Sequence, residues 1–194
     1  MDELLKLAEE GNGYIATESV SRAGIPRRIL SEAVAAGKIV KVDRGLYALP
    51  HVWEDPYFIV QHRYSRGIFS DDTSLFLLGR TDRAPFYPTM TFPRSYNASA
   101  VRRDGITCRT CSDDVFELGL TTTITPYGNN VSVYDLERTL CDLLRGQQVI
   151  DSQVVAPAMR AYVRNPKRNI GKLMQYARSL GVERKIRTYL EALQ

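Results

Sequence analysis

Few side chains in this chain of 194 residues have the types and spacing for catalysis. Cys108 and Cys111 form a CxxC, half of a zinc site, but a structural zinc takes four ligands. The only histidines, His51 and His62, are far off in sequence. The segment ITCRTCS also reads as a strand, on which positions three apart face opposite sides. These cysteines are expected to be plain thiols with no metal, and an odd total of three, with Cys141, makes no disulfide framework. Asp135 and Glu137 form an acid pair of the kind that holds a metal in nucleases. A PD-(D/E)xK core, however, requires a lysine two residues after the second acid, and position 139 is Thr. Asp135 is better explained as a helix cap and Glu137 as a first-turn acid, with Arg138 pairing locally or with another carboxylate of the domain. No GxGxxG or GxxxxGK loop is present to cradle a phosphate. Neither a cofactor nor a catalytic residue is expected, so the chain is not expected to be an enzyme. A metal-dependent nuclease is the alternative, and loss of activity with EDTA would reveal it.

The chemistry that the spacing does support is contact with a polyanion. After a short helix over residues 2–10, with Leu4, Leu5, Leu7 and Ala8 on one stripe and Gly11 and Gly13 behind it, YIAT is extended. Thr17 is an expected N-cap for a helix from Glu18 to Ala23, Gly24 makes the turn, and Pro26 opens the next helix. At 100° per residue, Leu30, Ala33, Val34 and Gly37 fall on the core side of that third helix. Arg27, Ser31 and Ala35 fall on the other, with Arg28 at its edge. The N-terminal end of the second helix of a helix–turn–helix is where base edges are met in the major groove. Gly37 closes the helix as its C′ residue. KIVKVDRGLYAL then alternates as a hairpin around Gly45, with Lys38 and Lys41 on its first strand and Arg44 at its tip. A hairpin in this place is the wing of a winged helix, and a tip arginine suits a narrow minor groove. Thr17, Ser21, Arg22, Arg27, Arg28, Ser31, Lys38, Lys41 and Arg44 are the expected DNA-binding set. The alternative is a winged module for protein contacts, with solvated arginines.

The elements beyond residue 50 are less regular, and the fold class is α+β: an N-terminal winged helix-turn-helix over 1–50 and a mixed α/β domain over 51–194 that ends in helices. Helices are expected over Tyr57 to Tyr64, over GIFSDDTSLFLLG with Ser70 as cap, and over LERTLCDLLRG with Leu136, Leu140, Leu143 and Leu144 inward. Three more follow at roughly 151–164, 169–180 and 182–193. YPTMTFPR, GITCRTCS, LGLTTTITPYG and NNVSVYD read as strands. The net charge of +4 hides a gradient. Residues 1–50 carry seven basic and seven acidic side chains, residues 51–153 carry ten and thirteen, and residues 154–194 carry nine and two. Arg160, Arg164, Lys167, Arg168 and Lys172 of this basic end are expected to offer an accessory surface for a polyanion such as DNA. With 44% hydrophobic and 25% charged residues, the composition is that of a globular protein. No apolar run approaches eighteen residues, and the acidic start MDELLKLAEEGNG is no signal peptide, so a cytoplasmic location is expected.

The layout resembles the AbiEi family of abortive-infection antitoxins, the antitoxin half of type IV toxin–antitoxin systems. The resemblance covers most of the chain. It runs through GKIVKVDRGLYAL, GIFSDDTSLFLLGRTD, YPTMTFPR, VYDLERTLCDLLR and the basic end RNIGKLMQYARSLGVERKIRTYLEAL. YDLERTLCDLLR after a strand is its most specific element. It implies a repressor that binds inverted repeats beside its own promoter, with two copies cooperating on DNA. It further implies that the C-terminal domain counters a neighbouring nucleotidyltransferase-like toxin without a stable complex. A winged-helix repressor with no toxin remains a second alternative.

Overall fold

The structure, a computed structural model, describes residues 1–145 and 152–193. The chain divides into two compact units. The first is Met1–Ser65 with Ile124–Asn130, and the second is Arg66–Thr123 with Val131–Gln194. Residue 50, where the change of sequence pattern suggested a boundary, lies inside the first.

In the first unit, α1 (Asp2–Glu10), β1 (Tyr14–Ala16), α2 (Thr17–Arg22), α3 (Arg28–Ala35), β2 (Val40–Asp43) and β3 (Leu46–Ala48) follow in order, and α4 (Pro56–Arg63) completes it. The extended YIAT segment is a sheet strand. It pairs antiparallel with β3, so the sheet order is β1-β3-β2. Leu4 and Ala8 of α1, Val20 of α2 and Leu30 and Ala33 of α3 close a core with Ile15, Ile25 and Ile39. Apolar residues three and four apart on short helices can bury their stripe only by packing together. Val34, expected in this core, is instead 39% exposed. The helix starts at Arg28, two residues later than expected, and its buried face is centred on Ile29, Leu30 and Ala33, which leaves Val34 at the solvent edge.

The end of α3 follows the sequence. Lys38 N–H donates to the Ala33 carbonyl at 2.9 Å and Gly37 N–H to that of Val34 at 3.0 Å. This is a Schellman pair, which needs a residue at positive φ, and Gly37 supplies it at +67°. Asp55 caps α4 by accepting from the N–H groups of Tyr57 and Phe58, both at 3.0 Å.

The second unit carries a five-stranded sheet of order β6-β5-β4-β8-β7. Its elements in chain order are β4 (Ile68–Phe69), α5 (Asp71–Leu77), β5 (Thr89–Pro93), α6 (Ser99–Arg103), β6 (Thr107–Cys111), α7 (Asp113–Phe116), β7 (Leu120–Ile124), β8 (Asn130–Tyr134) and α8 (Leu136–Arg145). The helices α9 (Ser152–Arg164), α10 (Ile170–Ser179) and α11 (Glu183–Ala192) end the chain. The mixed α+β class expected from the sequence is therefore observed, and β4 runs antiparallel to β5 but parallel to β8. Leu140, Leu143 and Leu144 of α8 meet Met159, Tyr162, Leu173 and Ile186 of the last three helices in the largest core. Two short helices, α6 and α7, and the two-residue strand β4 had no sequence signal, because each is too short for a period to show. The GIFSDDTSLFLLG stretch divides accordingly into β4 and α5. Ser70 stands at the N-cap of α5 but its hydroxyl makes no cap bond. It accepts instead from the Thr91 hydroxyl at 2.9 Å, because the pairing of β4 with β5 sets the two side chains together.

Candidate nucleic-acid interface

The nine side chains expected to meet DNA all lie in the first unit, and the fold treats them in two ways. Arg28 and Ser31 on α3, Lys38 behind it, Lys41 on β2 and Arg44 in the wing turn are exposed. None of the four basic ones makes an ion pair among the described residues. Guanidinium and ammonium groups left without internal partners are those free to take phosphate or base-edge acceptors. The others are partly engaged. Arg27 donates from Nε to the Ser21 hydroxyl at 3.2 Å, and Ser21 donates to the Thr17 carbonyl at 3.0 Å. That chain of bonds links the start of α3 to α2 and leaves the two terminal amino groups of Arg27 for a ligand. Arg22 pairs with Glu18 at 2.8 Å, an exposed pair one helical turn apart. Such a pair contributes only a few tenths of a kcal/mol and gives way easily.

Thr17 does not cap α2. Ala16 holds the cap position, and the Thr17 hydroxyl donates to the Gly45 carbonyl at 3.1 Å while its N–H reaches the same oxygen at 2.8 Å. The reason is the sheet: pairing of Ala16 with Leu46 brings the wing turn against the first residue of α2. Gly45 makes that turn at φ +74°, so the two bonds tie the wing to the helix–turn–helix.

The wing also disposes of its only acid. Asp43 Oδ2 accepts from Arg63 Nε of α4 at 2.7 Å, and its other oxygen accepts from the Arg44 N–H. Burial works against the carboxylate. The Arg63 hydrogen bond, the Arg44 N–H and the Arg63 charge nonetheless hold Asp43 below its ordinary value. With Asp43 engaged by Arg63, the Arg44 guanidinium at the tip has no neutralising partner among the described residues. Within a segment that sums to zero charge the wing thus displays a basic edge, because its one acid, Asp43, is engaged by Arg63 of α4. Composition alone could not show this. Arg63 has no motif around it, and the only hint was a basic residue in the last turn of a helix.

In the second unit the acid pair of α8 is structural. Asp135 Oδ1 accepts from the Arg138 N–H at 2.8 Å, a cap as expected, and Glu137 accepts from the Tyr162 hydroxyl at 3.1 Å. Arg138 is fully buried. Its Nε meets Asp142 Oδ2 at 2.8 Å, one turn on, and its Nη1 serves the carbonyls of Val115 and Leu118. Its guanidinium carbon lies 4.1 Å from the Tyr134 ring centre. Burial pushes the Asp142 carboxyl up to about 6 in spite of Arg138. Asp71 adopts φ +52°, a backbone state uncommon for a side-chain-bearing residue, and pairs with Arg109 of β6 at 2.8 Å. These groups line a polar cavity of about 220 Å³. Cys108 is half-buried and Cys111 buried on the same strand, and desolvation raises both thiols.

Of the basic end, Arg160, Arg164, Lys167 and Arg168 are exposed, and Lys167 and Arg168 directly precede Asn169, which caps α10 by accepting from the Lys172 N–H at 2.9 Å. Lys172 is not free. Its ammonium meets Asp135 at 2.9 Å and Glu137 at 3.4 Å, so it ties α10 to α8. No helix among the described residues is long and apolar enough to cross a membrane.

Among solved structures, the RV2827C protein from Mycobacterium tuberculosis is similar in fold. The TM-score is 0.56 at 14% identity, over 97% of this chain and 79% of that one. No curated protein is significantly similar in sequence. Residues 2–50 match the family model described as "Transcriptional regulator, AbiEi antitoxin". Those residues hold α1 to α3 and the three-stranded sheet with its wing, so the likeness to AbiEi antitoxin transcriptional regulators lies in this N-terminal segment.

Proposed function

We propose that this protein is a DNA-binding antitoxin that represses its own operon. The first unit would read the operator, with Arg27, Arg28 and Ser31 of α3 at base edges in the major groove. Lys38 and Lys41 would lie on phosphates, and Arg44 of the wing in the adjoining minor groove. Thr17, Ser21 and Arg22 would complete the contact from α2. The observation that carries the reading is the set of exposed, unpaired basic side chains on α3 and the wing, within the segment that matches a transcriptional-regulator family. The resemblance adds an inverted-repeat operator, two copies acting together on it, and a neighbouring nucleotidyltransferase-like toxin countered without a stable complex. The second unit would carry the antitoxin action, with Arg160, Arg164, Lys167 and Arg168 as an accessory surface.

Footprinting on the protein's own promoter tests the DNA reading. Full-length protein is expected to protect two inverted half-sites, and Arg28→Ala to abolish that protection. Growth of cells expressing the neighbouring toxin tests the rest. Full-length Arg28→Ala is expected to rescue growth as wild type does. Loss of operator binding and of rescue together would contradict the division of labour. Operator binding without any rescue by wild type would leave a repressor alone.

A further inference from the structure

The second sheet ends on β7, whose one ladder neighbour among the described residues is β8. Edge strands present unpaired backbone N–H and C=O groups, and proteins ordinarily blunt them with charge, proline or a covering element. The sequence of β7, LTTTI, contains no charge and no proline. Its residues are exposed or half-exposed throughout, Leu120 at 45% and Ile124 at 62%. The opposite edge is different. There β6 carries Arg109, drawn onto Asp71, and ends on the buried Cys111.

The order of side chains on β7 is the same in both directions by chemical class: apolar, three threonines, apolar. A second β7 laid antiparallel about a two-fold axis through Thr122 sets Leu120 opposite Ile124, Thr121 opposite Thr123, and Thr122 opposite its own copy. Directly opposed residues on such a ladder have Cβ atoms about 4.5–5.5 Å apart, and apolar and Thr–Thr pairs there are favourable. The faces agree as well. The Thr123 hydroxyl reaches the Leu77 carbonyl of α5 at 3.4 Å. Thr121 and Thr123 therefore share the α5 side, and Leu120, Thr122 and Ile124 share the other. Pairing would seat each exposed Leu120 on an exposed Ile124, with a threonine pair between. A two-fold interface must be self-complementary in this way.

We propose that two copies of this chain associate edge to edge through β7, antiparallel about Thr122, joining their five-stranded sheets into one. The inference gives a surface to the two-copy arrangement proposed above, but it needs no DNA. A five-residue edge buries little area, so the association is weak, with Kd on the order of 100 µM.

The test uses full-length protein without DNA on a Cys108→Ser background, since Cys111 and Cys141 are buried. Under mild oxidation Thr122→Cys is expected to give a covalent dimer. Thr121→Cys is not, because its copies lie diagonally across the ladder, beyond disulfide reach. In sedimentation equilibrium the wild type is expected to move from monomer to dimer as concentration rises. Thr122→Lys, which sets like charges face to face on the axis, is expected to remain monomeric with an unchanged melting temperature. Absence of the Thr122→Cys dimer, equal cross-linking of the two cysteine variants, or dimerisation of Thr122→Lys at the wild-type level would each overturn the proposal. Cross-linking is read without DNA, so a failure of the operator assignment would leave this result untouched.

Discussion

At the scale of single residues, two arginines in adjacent positions do different work. Arg27 gives one donor to Ser21 and so belongs partly to the scaffold, whereas the Arg28 guanidinium makes no hydrogen bond or ion pair among the described residues. Arg28→Ala is therefore expected to remove binding free energy alone, about 1–3 kcal/mol if it makes one bidentate base contact. Arg27→Ala is expected to lower the melting temperature slightly as well. Gel shifts and thermal melts on the two variants separate the effects. Asp142 makes a prediction about pH. Its unfolded value is 3.8 and its folded value about 6, raised by burial against the pull of Arg138. The folded state therefore binds a proton that the unfolded chain releases in this window. The stability this provides is complete below 3.8 and is lost as pH rises through about 6, at roughly 1.4 kcal/mol per unit at most. Asp142→Asn is expected to flatten the fall. Denaturant melts of both proteins across that range, with parallel curves, would refute it.

At the scale of elements, the wing shows how a strand can be basic in effect while neutral in sum. Asp43 is engaged by Arg63 of α4 and by the Arg44 N–H, and the Lys38 and Lys41 ammonium groups keep no partner among the described residues. Each of these lysines, if it rests on a phosphate, contributes about one to the slope of log K against log salt. The double variant Lys38→Ala/Lys41→Ala is expected to reduce that slope by about two and to weaken all sequences alike. An unchanged slope would mean that both side chains are merely solvated. Arg44→Ala is expected to weaken binding most where the wing-contacted groove is A·T-rich and narrow.

At the scale of the whole molecule, the first unit is assembled from stretches distant in sequence. Asp55 is fully buried and accepts from Asn129 Nδ2 at 2.8 Å and from the Thr125 hydroxyl, while its own N–H donates to the Tyr14 hydroxyl at 2.7 Å. One residue thus holds α4 and the segment Ile124–Asn130 through its carboxylate, and β1 through its N–H, in a single body. Asp55→Ala is expected to cost roughly 3 kcal/mol, because it removes a cap and strands two buried donors. Calorimetry should show the transition of the first unit lowered. A change in melting temperature no larger than that of a surface substitution would mean that the network is dispensable.

Features that depend on neighbours along the chain can be read directly from the residues. The apolar spacing of Leu4, Ala8, Leu30 and Ala33, the helix end at Gly37, the hairpin around Gly45 and the Asp135 cap were all legible. Each rests on a period or a turn requirement that spans a few residues. Features that depend on partners far along the chain emerge only once the fold brings those partners together. Thr17 serves Gly45 rather than its own helix, and Ser70 serves Thr91, because strand pairing places an acceptor or donor beside each hydroxyl. Val34 is exposed although its spacing matches the core, since packing of Ile29 with Leu30 and Ala33 centres the buried face away from it. Lys172 is withdrawn from the basic end by two acids more than thirty residues earlier. The edge position of β7 likewise has no local signature. A strand reads the same from its residues whether it lies inside a sheet or at the rim, and only the order of the strands decides which of its hydrogen-bonding groups remain unpaired.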